Sequence, residues 1–313
     1  MKRTLALTLA LLTVAPATAP ARSPIRVAIG DQNVSMFDHP DFQRAKFKRV
    51  RFIVPWNVMD DAVLRENARA YVERARAAGI SVLIHLSTDD YRIKRARLPS
   101  VATYRREAGR IVTFFRGLGV TEFGAWNEVN HASQPTYKSP TRAAQFFTEM
   151  YRLVKGRCSA CSVVALDVLD QGGVERYMRS FYRRLSPAFR RRATIVGLHN
   201  YGDVNRRRTT FTRSMIGQAR RNNRRTRFWL TETGGIVKFG ASFPCSTARA
   251  ANRLSFMFKL ANLYRRSGID RLYIYNWTGE GCAGRFDAGL TGPDGAPRPG
   301  LRYLLKVLPD YSR

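Results

Sequence analysis

A repeated alternation of two sequence patterns constrains the fold of this chain more than any other feature. Short apolar runs rich in β-branched and aromatic residues occur eight times, and longer segments of helical periodicity separate them. Strands that alternate with helices predict βα units and a parallel sheet. The predicted strands are 25–29, 49–54, 81–85, 122–126, 162–166, 194–198, 228–231 and 271–275, and the predicted helices are 62–78, 101–117, 140–155, 174–185, 210–220, 246–267 and 299–307.

Eight such units predict a single (β/α)8 barrel, a TIM barrel, over residues 22–313. The connection 38–46 has the weakest helical pattern of the series. The alternative is an open doubly wound sheet, which would want a glycine-rich phosphate-binding turn after the first strand. Gly30-Asp31-Gln32 is not such a turn, so the barrel is favoured.

The N-terminal residues 1–21 differ from the rest of the chain. They combine a basic start, an apolar run at 5–14 and small residues at 19–21, the pattern of a cleaved secretory signal peptide. The apolar run is too short for a spanning helix, although a membrane anchor remains the alternative. We therefore expect a secreted, extracellular protein without a membrane span.

The charge of the chain is strongly positive. It has 54 basic and 23 acidic residues, and residues 1–21 hold two of the basic ones, so the remainder would carry a formal charge of +29. Such a charge favours adsorption to anionic polymers. The basic residues are scattered over predicted helices without a recognisable nucleic-acid motif, so no specific nucleic-acid partner is expected.

The four cysteines are an even number, which in an exported protein favours disulfides. We predict the pairs Cys158–Cys161 and Cys245–Cys282. The Cys158-Ser-Ala-Cys161 motif could instead be a metal knuckle or a redox pair. A zinc site would need two further ligands at matching spacing, and the four histidines provide none, so we expect no metal and no cofactor.

Two predicted strands lead into a glutamate. Residues 123–126 form an apolar run before Asn127 and Glu128, and residues 227–231 precede Glu232. In α/β barrels the chemistry takes place at the carboxyl ends of the strands, so both carboxylates should face one pocket. Two carboxylates about 5–5.5 Å apart are what a retaining glycosidase needs, one as proton donor and one as nucleophile.

The other residues at the predicted strand ends suit a carbohydrate ligand. Amides and carboxylates bind hydroxyl groups, and aromatic faces cover the apolar side of a pyranose ring. The set comprises Asp31, Gln32, Arg51, Trp56, Asn57, His85, Trp126, Asp167, Asp170, His199, Tyr201, Asn276 and Trp277.

Several of these residues form motifs that resemble those of the retaining β-glycosidases of glycoside hydrolase clan A. The resemblance covers the predicted barrel and leaves open family 39 xylosidase-like, family 5 cellulase-like and family 128 endoglucanase-like members. Val129 departs from the pattern, since many members have proline there. The motifs are Trp126-Asn127-Glu128, His199-Asn200-Tyr201, Thr231-Glu232 and Trp277, after the fourth, sixth, seventh and eighth strands, together with the segment 288–300 before the last helix.

By this resemblance Glu128 would be the acid/base and Glu232 the nucleophile. Arg51 would lie within hydrogen-bond reach of Glu232, and Tyr201 would donate a hydrogen bond to it. A carboxylate that accepts from such donors keeps a low pKa. The pKa of Glu128 would then have to be raised, as desolvation and a second negative charge nearby encourage.

The resemblance also implies substrate-binding roles. Asn127 would bind the sugar 2-hydroxyl, and Trp277 would form the floor of the subsite that holds the attacked sugar. His199 is either a sugar contact or a satisfied core histidine, and Arg51 could be purely structural.

The sequence therefore predicts a secreted, monomeric, retaining β-glycoside hydrolase that acts on a β-linked oligo- or polysaccharide by double displacement. The alternative is a catalytically silent barrel that binds an anionic wall or capsule polymer through its charge. A binder of that kind would have no need of both glutamates. A barrel hydrolase for a non-sugar is poorly supported, since the chain has no Gly-x-Ser-x-Gly elbow.

Overall fold

Eight parallel strand positions form a barrel in the computed structural model, which describes residues 23–312. The predicted signal peptide lies outside the described residues. The strands, numbered in chain order, are β1 (Ser23–Gly30), β2 (Arg49–Pro55), β3 (Ser81–Ser87), β4 (Glu122–Gly124), β5 (Ser162–Val164), β6 (Leu166–Leu169), β7 (Ile195–His199), β8 (Arg227–Thr233), β9 (Lys238–Phe239), β10 (Ile269–Tyr275), β11 (Phe286–Asp287) and β12 (Tyr311–Ser312).

Helices connect the barrel strands on the outside. They are α1 (Pro40–Ala45), α2 (Ala62–Ala77), α3 (Val101–Gly117), α4 (Pro140–Arg157), α5 (Val174–Arg184), α6 (Pro187–Arg192), α7 (Tyr201–Asn205), α8 (Thr210–Asn222), α9 (Thr247–Leu263) and α10 (Pro299–Val307).

The barrel closes through its fifth strand position, which is divided into β5 and β6. The strands pair in parallel in the order β5-β4-β3-β2-β1-β10-β8-β7-β6. Ala165, between the two halves, donates its backbone N–H to Ile195 O at 2.9 Å, and Ala125 donates to Val164 O at 3.2 Å. Consecutive hydrogen bonds thus run round the whole ring, and the predicted (β/α)8 barrel is confirmed.

Local sequence explains several element boundaries. Ser139 precedes Pro140, and the Ser139 hydroxyl accepts a hydrogen bond from Arg142 N, so α4 begins where the cap signal predicts. The weak connection 38–46 contains only the short helix α1, which begins at Pro40 and is capped by the His39 side chain. The predicted fifth strand was too regular, because the chain changes partner at Ala165.

The outer helices pack on the barrel through apolar stripes. In α4 the buried side chains recur every three or four residues, which places them on one face against the strands. Burial of each large side chain of this kind contributes roughly 1.5–3 kcal/mol relative to exposure. The apolar ones are Ala143, Ala144, Phe146, Phe147, Met150 and Val154.

The interior of the barrel changes from apolar to polar along the strands. On β3 the inward residue Leu83 is followed two positions later by His85, and on β8 Trp229 is followed by Thr231, as the two-residue period of a strand requires. The apolar layer consists of Ala28, Leu83, Val164, Ile195, Trp229 and Tyr273. The polar layer above it, towards the carboxyl ends, holds the candidate site.

Two loops at the carboxyl end of the barrel are tied together. The loops after β8 and β10 pair through the antiparallel strands β9 and β11, and a disulfide joins Cys245 to Cys282. A second disulfide joins Cys158 to Cys161 at the end of α4. These are the two pairs that the sequence predicts.

No helix within residues 23–312 is both long enough and apolar enough to cross a membrane.

We predict that the Cys245–Cys282 disulfide stabilises the protein more than Cys158–Cys161 does. It closes a sequence separation of 37 against 3. In the chain-entropy description this difference corresponds to about 4 against about 2 kcal/mol. Denaturant titration of the C245S/C282S and C158S/C161S variants measures both values. Equal losses would contradict the prediction, and peptide mapping under non-reducing conditions tests each pairing directly.

Candidate active site

The two glutamates lie at the carboxyl ends of the fourth and seventh barrel strands. Glu128 follows β4, and Glu232 is the penultimate residue of β8. Oxygens of the two carboxylates lie within 4.8 Å of each other, and both residues line one cavity of about 520 Å³. The structure thus brings together the two side chains that the sequence singled out.

Glu128 has an unusual backbone conformation. Its φ of 44° lies in the left-handed region, which disfavours residues other than glycine. Backbone hydrogen bonds hold the residues on both sides: Asn127 N donates to Leu86 O at 2.7 Å, and Val129 N donates to Asp167 O at 3.0 Å. The neighbouring strands therefore impose the conformation that turns the Glu128 side chain into the cavity.

Arg51 of β2 binds side chains that come from several other strand positions of the site. Its guanidinium is buried and donates to three neighbours: Nη1 to Glu232 Oε1 at 2.7 Å, Nη2 to Asn127 Oδ1 at 2.6 Å, and Nε to His85 Nδ1 at 3.0 Å. Nη2 also lies 3.2 Å from Asp167 Oδ2. The guanidinium thus positions the Glu232 carboxylate with charge-assisted hydrogen bonds.

His199, at the end of β7, lies between three carboxylates. Its Nδ1 is 3.0 Å from Glu128 Oε1 and 3.5 Å from Glu232 Oε2, and its Nε2 is 2.9 Å from Asp167 Oδ2. The imidazole is fully buried. It is therefore a buried contact of both glutamates and is not among the residues that line the cavity.

Two glycines leave the space that these side chains occupy. A Cβ atom at Gly124 of β4 would lie 2.1 Å from the His85 ring, and one at Gly197 of β7 would lie 1.8 Å from Asp167 Oδ1. The polar layer therefore requires glycine at both positions, because any side chain there would displace a charged or imidazole group.

The charges around His199 shift several pKa values. Burial alone would lower the pKa of His199, but Asp167, Glu232 and Glu128 raise it to about 10. Burial would raise the pKa of Asp167, but the charges of His199 and Arg51 hold it well below the ordinary range. Burial, with the charge of Arg51, lowers the pKa of His85 to about 3. His199 is thus charged at neutral pH, and His85 is neutral.

The two glutamates shift in the directions opposite to those that the sequence predicts. Burial raises the pKa of Glu128, but the hydrogen bond and charge of His199, together with His131, whose Nδ1 lies 3.7 Å from Glu128 Oε2, leave it lowered. For Glu232 burial dominates over His199 and Arg51, and the pKa is raised. Both predicted directions are wrong, because the sequence does not show that His199 lies beside Glu128.

The remaining predicted residues differ in how they meet the cavity. Asn127 is buried, and its side-chain oxygen accepts from Arg51. Tyr201, at the start of α7, lines the cavity, but its buried hydroxyl has no hydrogen-bond partner, so the predicted donation to Glu232 is not formed. Trp277 is 1% exposed and packs edge-on against His39 and Phe42, so the structure does not present its face to the cavity.

An aromatic wall of the cavity was missed by sequence reasoning. Phe239, Phe243 and Phe286 lie on the paired loops after β8 and β10, and Arg206 lies over the Phe243 ring at 5.0 Å. Loop residues carry no periodic pattern, so nothing in the sequence marked them. Asp170 also lines the cavity.

One group of three residues within the described range has a spacing that could hold a cation. Glu128, His199 and Glu232 each offer a ligand atom within 4.8 Å of the others. A cation there would face the Arg51 guanidinium, 2.7 Å from Glu232 Oε1. The absence of a metal or cofactor requirement stays a prediction.

The candidate site is thus a pair of carboxylates at the carboxyl end of a (β/α)8 barrel, with His199 in contact with both and Arg51 bound to Glu232. No protein-family model matches the sequence, and no curated protein matches it either. Comparison with solved structures does find similar proteins, and those compared below are glycoside hydrolases.

A family 39 glycoside hydrolase from Bacteroides cellulosilyticus WH2 has 16% identity and a TM-score of 0.60, covering 92% of this chain and 63% of its own. A family 39 β-xylosidase from Caulobacter crescentus has 14% identity and a TM-score of 0.65. The match covers 93% of this chain and 73% of the xylosidase. A fungal β-1,4-galactanase has 12% identity and a TM-score of 0.67. The match covers 90% of this chain and 98% of the galactanase. This chain thus spans less than two thirds of the Bacteroides protein, and the likeness shows a shared barrel fold.

We predict that Arg51→Met destabilises the protein by about 3–5 kcal/mol at pH 8, because buried carboxylates lose their counter-charge. Without Arg51, the folded-state pKa values of Asp167 and Glu232 rise. The variant therefore loses stability as pH rises. The difference in free energy of unfolding between the wild-type protein and the variant should become smaller as pH falls from about 8 to about 5. Denaturant titrations at several pH values measure it. Arg179→Met, at an exposed arginine of α5, is the control and should cause little change. A deficit independent of pH would contradict the prediction.

Proposed function

We propose that this protein is a retaining β-glycoside hydrolase that cleaves a β-linked oligo- or polysaccharide. The observation that carries the proposal is the pair of glutamates at the ends of β4 and β8, whose oxygens lie within 4.8 Å in one cavity. Retaining enzymes place their carboxyl groups about 5–5.5 Å apart, whereas inverting enzymes leave about 6.5–9.5 Å for a water molecule. The spacing therefore favours double displacement.

In the first step Glu232 acts as nucleophile. A Glu232 oxygen forms a bond to the anomeric carbon while the glycosidic bond breaks, and the leaving oxygen takes the electron pair together with a proton from Glu128. Arg51, which donates to Glu232 Oε1 at 2.7 Å, orients the attacking carboxylate. The product is a covalent glycosyl-enzyme.

In the second step Glu128 acts as base. It takes a proton from a water molecule, the hydroxide oxygen bonds to the anomeric carbon, and Glu232 leaves as a carboxylate. Two inversions restore the β configuration, and both glutamates return to their initial protonation states.

The surroundings of the pair support a carbohydrate substrate. Asp170, Gln171 and Tyr201 line the cavity together with the three phenylalanines of the paired loops, and the Tyr201 ring packs edge-on against Phe286 at 5.9 Å. Polar residues and aromatic faces in one cavity suit the hydroxyl groups and the apolar face of a sugar. The barrels similar in structure include a β-xylosidase and a β-1,4-galactanase. The N-terminal pattern supports secretion, and the positive charge supports adsorption to anionic polymers.

The second candidate function is a silent barrel that binds an anionic polymer. The observation that favours it is the net charge of +31 for the whole chain. This function would use the surface and leave the two glutamates without a role.

We predict that replacement of the two glutamates separates their roles. Glu232→Ala should abolish the covalent intermediate for every substrate. Glu128→Ala should lose about 10²–10⁴-fold in kcat on a natural glycan, the usual value of general acid–base help. On an aryl glycoside with an acidic phenol, the first step should persist, the intermediate should accumulate as a burst, and azide should accelerate turnover. Glu73→Ala, an exposed acid on α2, is the control.

The stereochemistry of the product gives a further check on the same assignment. Nuclear magnetic resonance of the fresh product should show the β-anomer first. If the α-anomer forms first, the enzyme inverts configuration and Glu232 is not the nucleophile. If no glycan in a broad β-linked panel is cleaved by the wild-type protein, the silent-barrel function is favoured.

We predict that the positive charge acts on adsorption and not on turnover. Binding to an anionic glycan should weaken steeply as salt rises beyond physiological strength, where the screening length is about 8 Å. With a soluble neutral substrate kcat should hardly change with salt. A kcat that falls in parallel on the neutral substrate would instead place the basic surface in the active site.

A further inference from the structure

Asp167 is a buried carboxylate to which the mechanism above assigns no role. It lies on β6 in the polar layer and is fully buried. Its Oδ2 is 2.9 Å from His199 Nε2 and 3.2 Å from Arg51 Nη2, and its Oδ1 accepts a hydrogen bond from the Thr231 hydroxyl. His199 is thus its nearest cation, and that histidine contacts Glu128.

Asp167 is not needed simply to balance Arg51. The Arg51 guanidinium already pairs with the Glu232 carboxylate at 2.7 Å and with the Asn127 amide oxygen at 2.6 Å. A buried carboxylate without a function would cost several kcal/mol of desolvation, partly offset by its partners. Its position behind His199, on the far side from Glu128, indicates an effect transmitted through the imidazole ring.

The contacts of His199 determine where its protons lie. Nε2 lies 2.9 Å from Asp167 Oδ2 in an ion-pair contact without hydrogen-bond geometry, and the negative charge there favours a proton on Nε2. Nδ1 faces Glu128 Oε1 at 3.0 Å, and a hydrogen bond there requires one proton, held by the nitrogen or by the oxygen. The two arrangements contain the same number of protons. The Glu128–His199 hydrogen bond therefore holds a single shared proton.

We propose that Asp167 is a positioning residue that keeps this proton in the Glu128–His199 hydrogen bond, and that it is the proton delivered to the leaving oxygen. The inference rests on the proposed glycosidase function. In the first step the proton moves from the Glu128–His199 pair to the leaving oxygen, leaving a Glu128 carboxylate beside a neutral imidazole. In the second step the attacking water returns one proton to the pair.

This arrangement explains how Glu128 can donate a proton although its pKa is lowered. A carboxylate with a lowered pKa would by itself be a poor proton donor at neutral pH. As a member of a pair with His199, whose pKa is raised to about 10, it can still receive the proton through a 3.0 Å hydrogen bond when the leaving oxygen develops charge. The acid is then the pair, and its protonation depends on the charge behind the ring.

The charged and titratable groups that face His199 come from five strand positions. Asp167, Glu128 and Glu232 favour its charged form, and Arg51 and His85 are the basic groups of the same layer. His85 does not compete for the proton, because its pKa is lowered to about 3 and its Nδ1 accepts from Arg51. Among these groups, Asp167 is the one that contacts His199 without being one of the two proposed catalytic glutamates.

The test is Asp167→Asn, which keeps the size of the side chain and removes its charge. Its amide oxygen can still accept from His199 and Arg51, and its amide nitrogen can donate to the Thr231 oxygen. Without the negative charge the pair holds its proton less strongly. The basic limb of the kcat/KM pH profile should therefore move down by about 1–3 pH units, the usual effect of an opposite charge at this distance.

The control is Thr231→Val, which removes the hydroxyl that donates to Asp167 and keeps the charge. Loss of a donor makes the Asp167 carboxylate a stronger base, so the basic limb should stay in place or move slightly upward. If the substitutions only disturbed the packing of the polar layer, kcat would fall in both variants. The basic limbs of their two pH profiles would then not move in opposite directions.

A second readout does not depend on activity. Nitrogen-15 spectra of the imidazole groups should show His199 doubly protonated from about pH 5 to about pH 9 in the wild-type protein. In Asp167→Asn its titration should enter that window, the same 1–3 units lower. The wild-type titration needs no variant, so a failure of Asp167→Asn to fold leaves the test intact.

The outcomes separate this inference from the proposed function. A wild-type protein in which His199 is neutral and Glu128 is ionised at pH 7 overturns the inference, whatever the activity, because the pair would then hold no shared proton. A shifted His199 titration with an unmoved basic limb also overturns it, because the pair would then not be the acid, while the glycosidase function stands. A shifted titration in a protein that cleaves no glycan would leave the charge relation supported and remove the proposed function instead.

Discussion

The rest of this structure depends on the buried guanidinium of Arg51. It lies inside the barrel, where a lone cation would cost several kcal/mol, and it is tolerated because its donors meet Glu232, Asn127, His85 and Asp167. Each of these partners comes from a different strand position. The same contacts that satisfy the charge therefore hold the carboxyl end of the barrel in one arrangement.

The second constraint is the space for these polar groups. Gly124 and Gly197 leave room for the side chains of His85 and Asp167, and no larger residue fits at either position. The barrel consequently contains an apolar layer and, above it, a layer of charges held by their neighbours. Dipoles and charges held in this way need little reorganisation when charge develops during a reaction, which is how such a site stabilises a transition state.

The rim of the barrel is built on a different principle. The loops after β8 and β10 are joined by the β9–β11 pairing and by the Cys245–Cys282 disulfide, and they carry Phe239, Phe243 and Phe286 into the cavity. Loops supported by a rigid scaffold commonly carry specificity. The buried layer thus holds the side chains around the two glutamates in place, and the tied loops give the cavity its aromatic wall.

The sequence by itself determined the barrel and the position of both glutamates, because strand–helix alternation and an acid after an apolar run are local patterns. It could not determine the fifth-strand break at Ala165, where a change of pairing partner decides the geometry. It also left Asp167 without a role and assigned Trp277 to the cavity, since neither position shows which neighbours it will meet. Protonation depends on the charges gathered around His199, and only the tertiary structure brings those together.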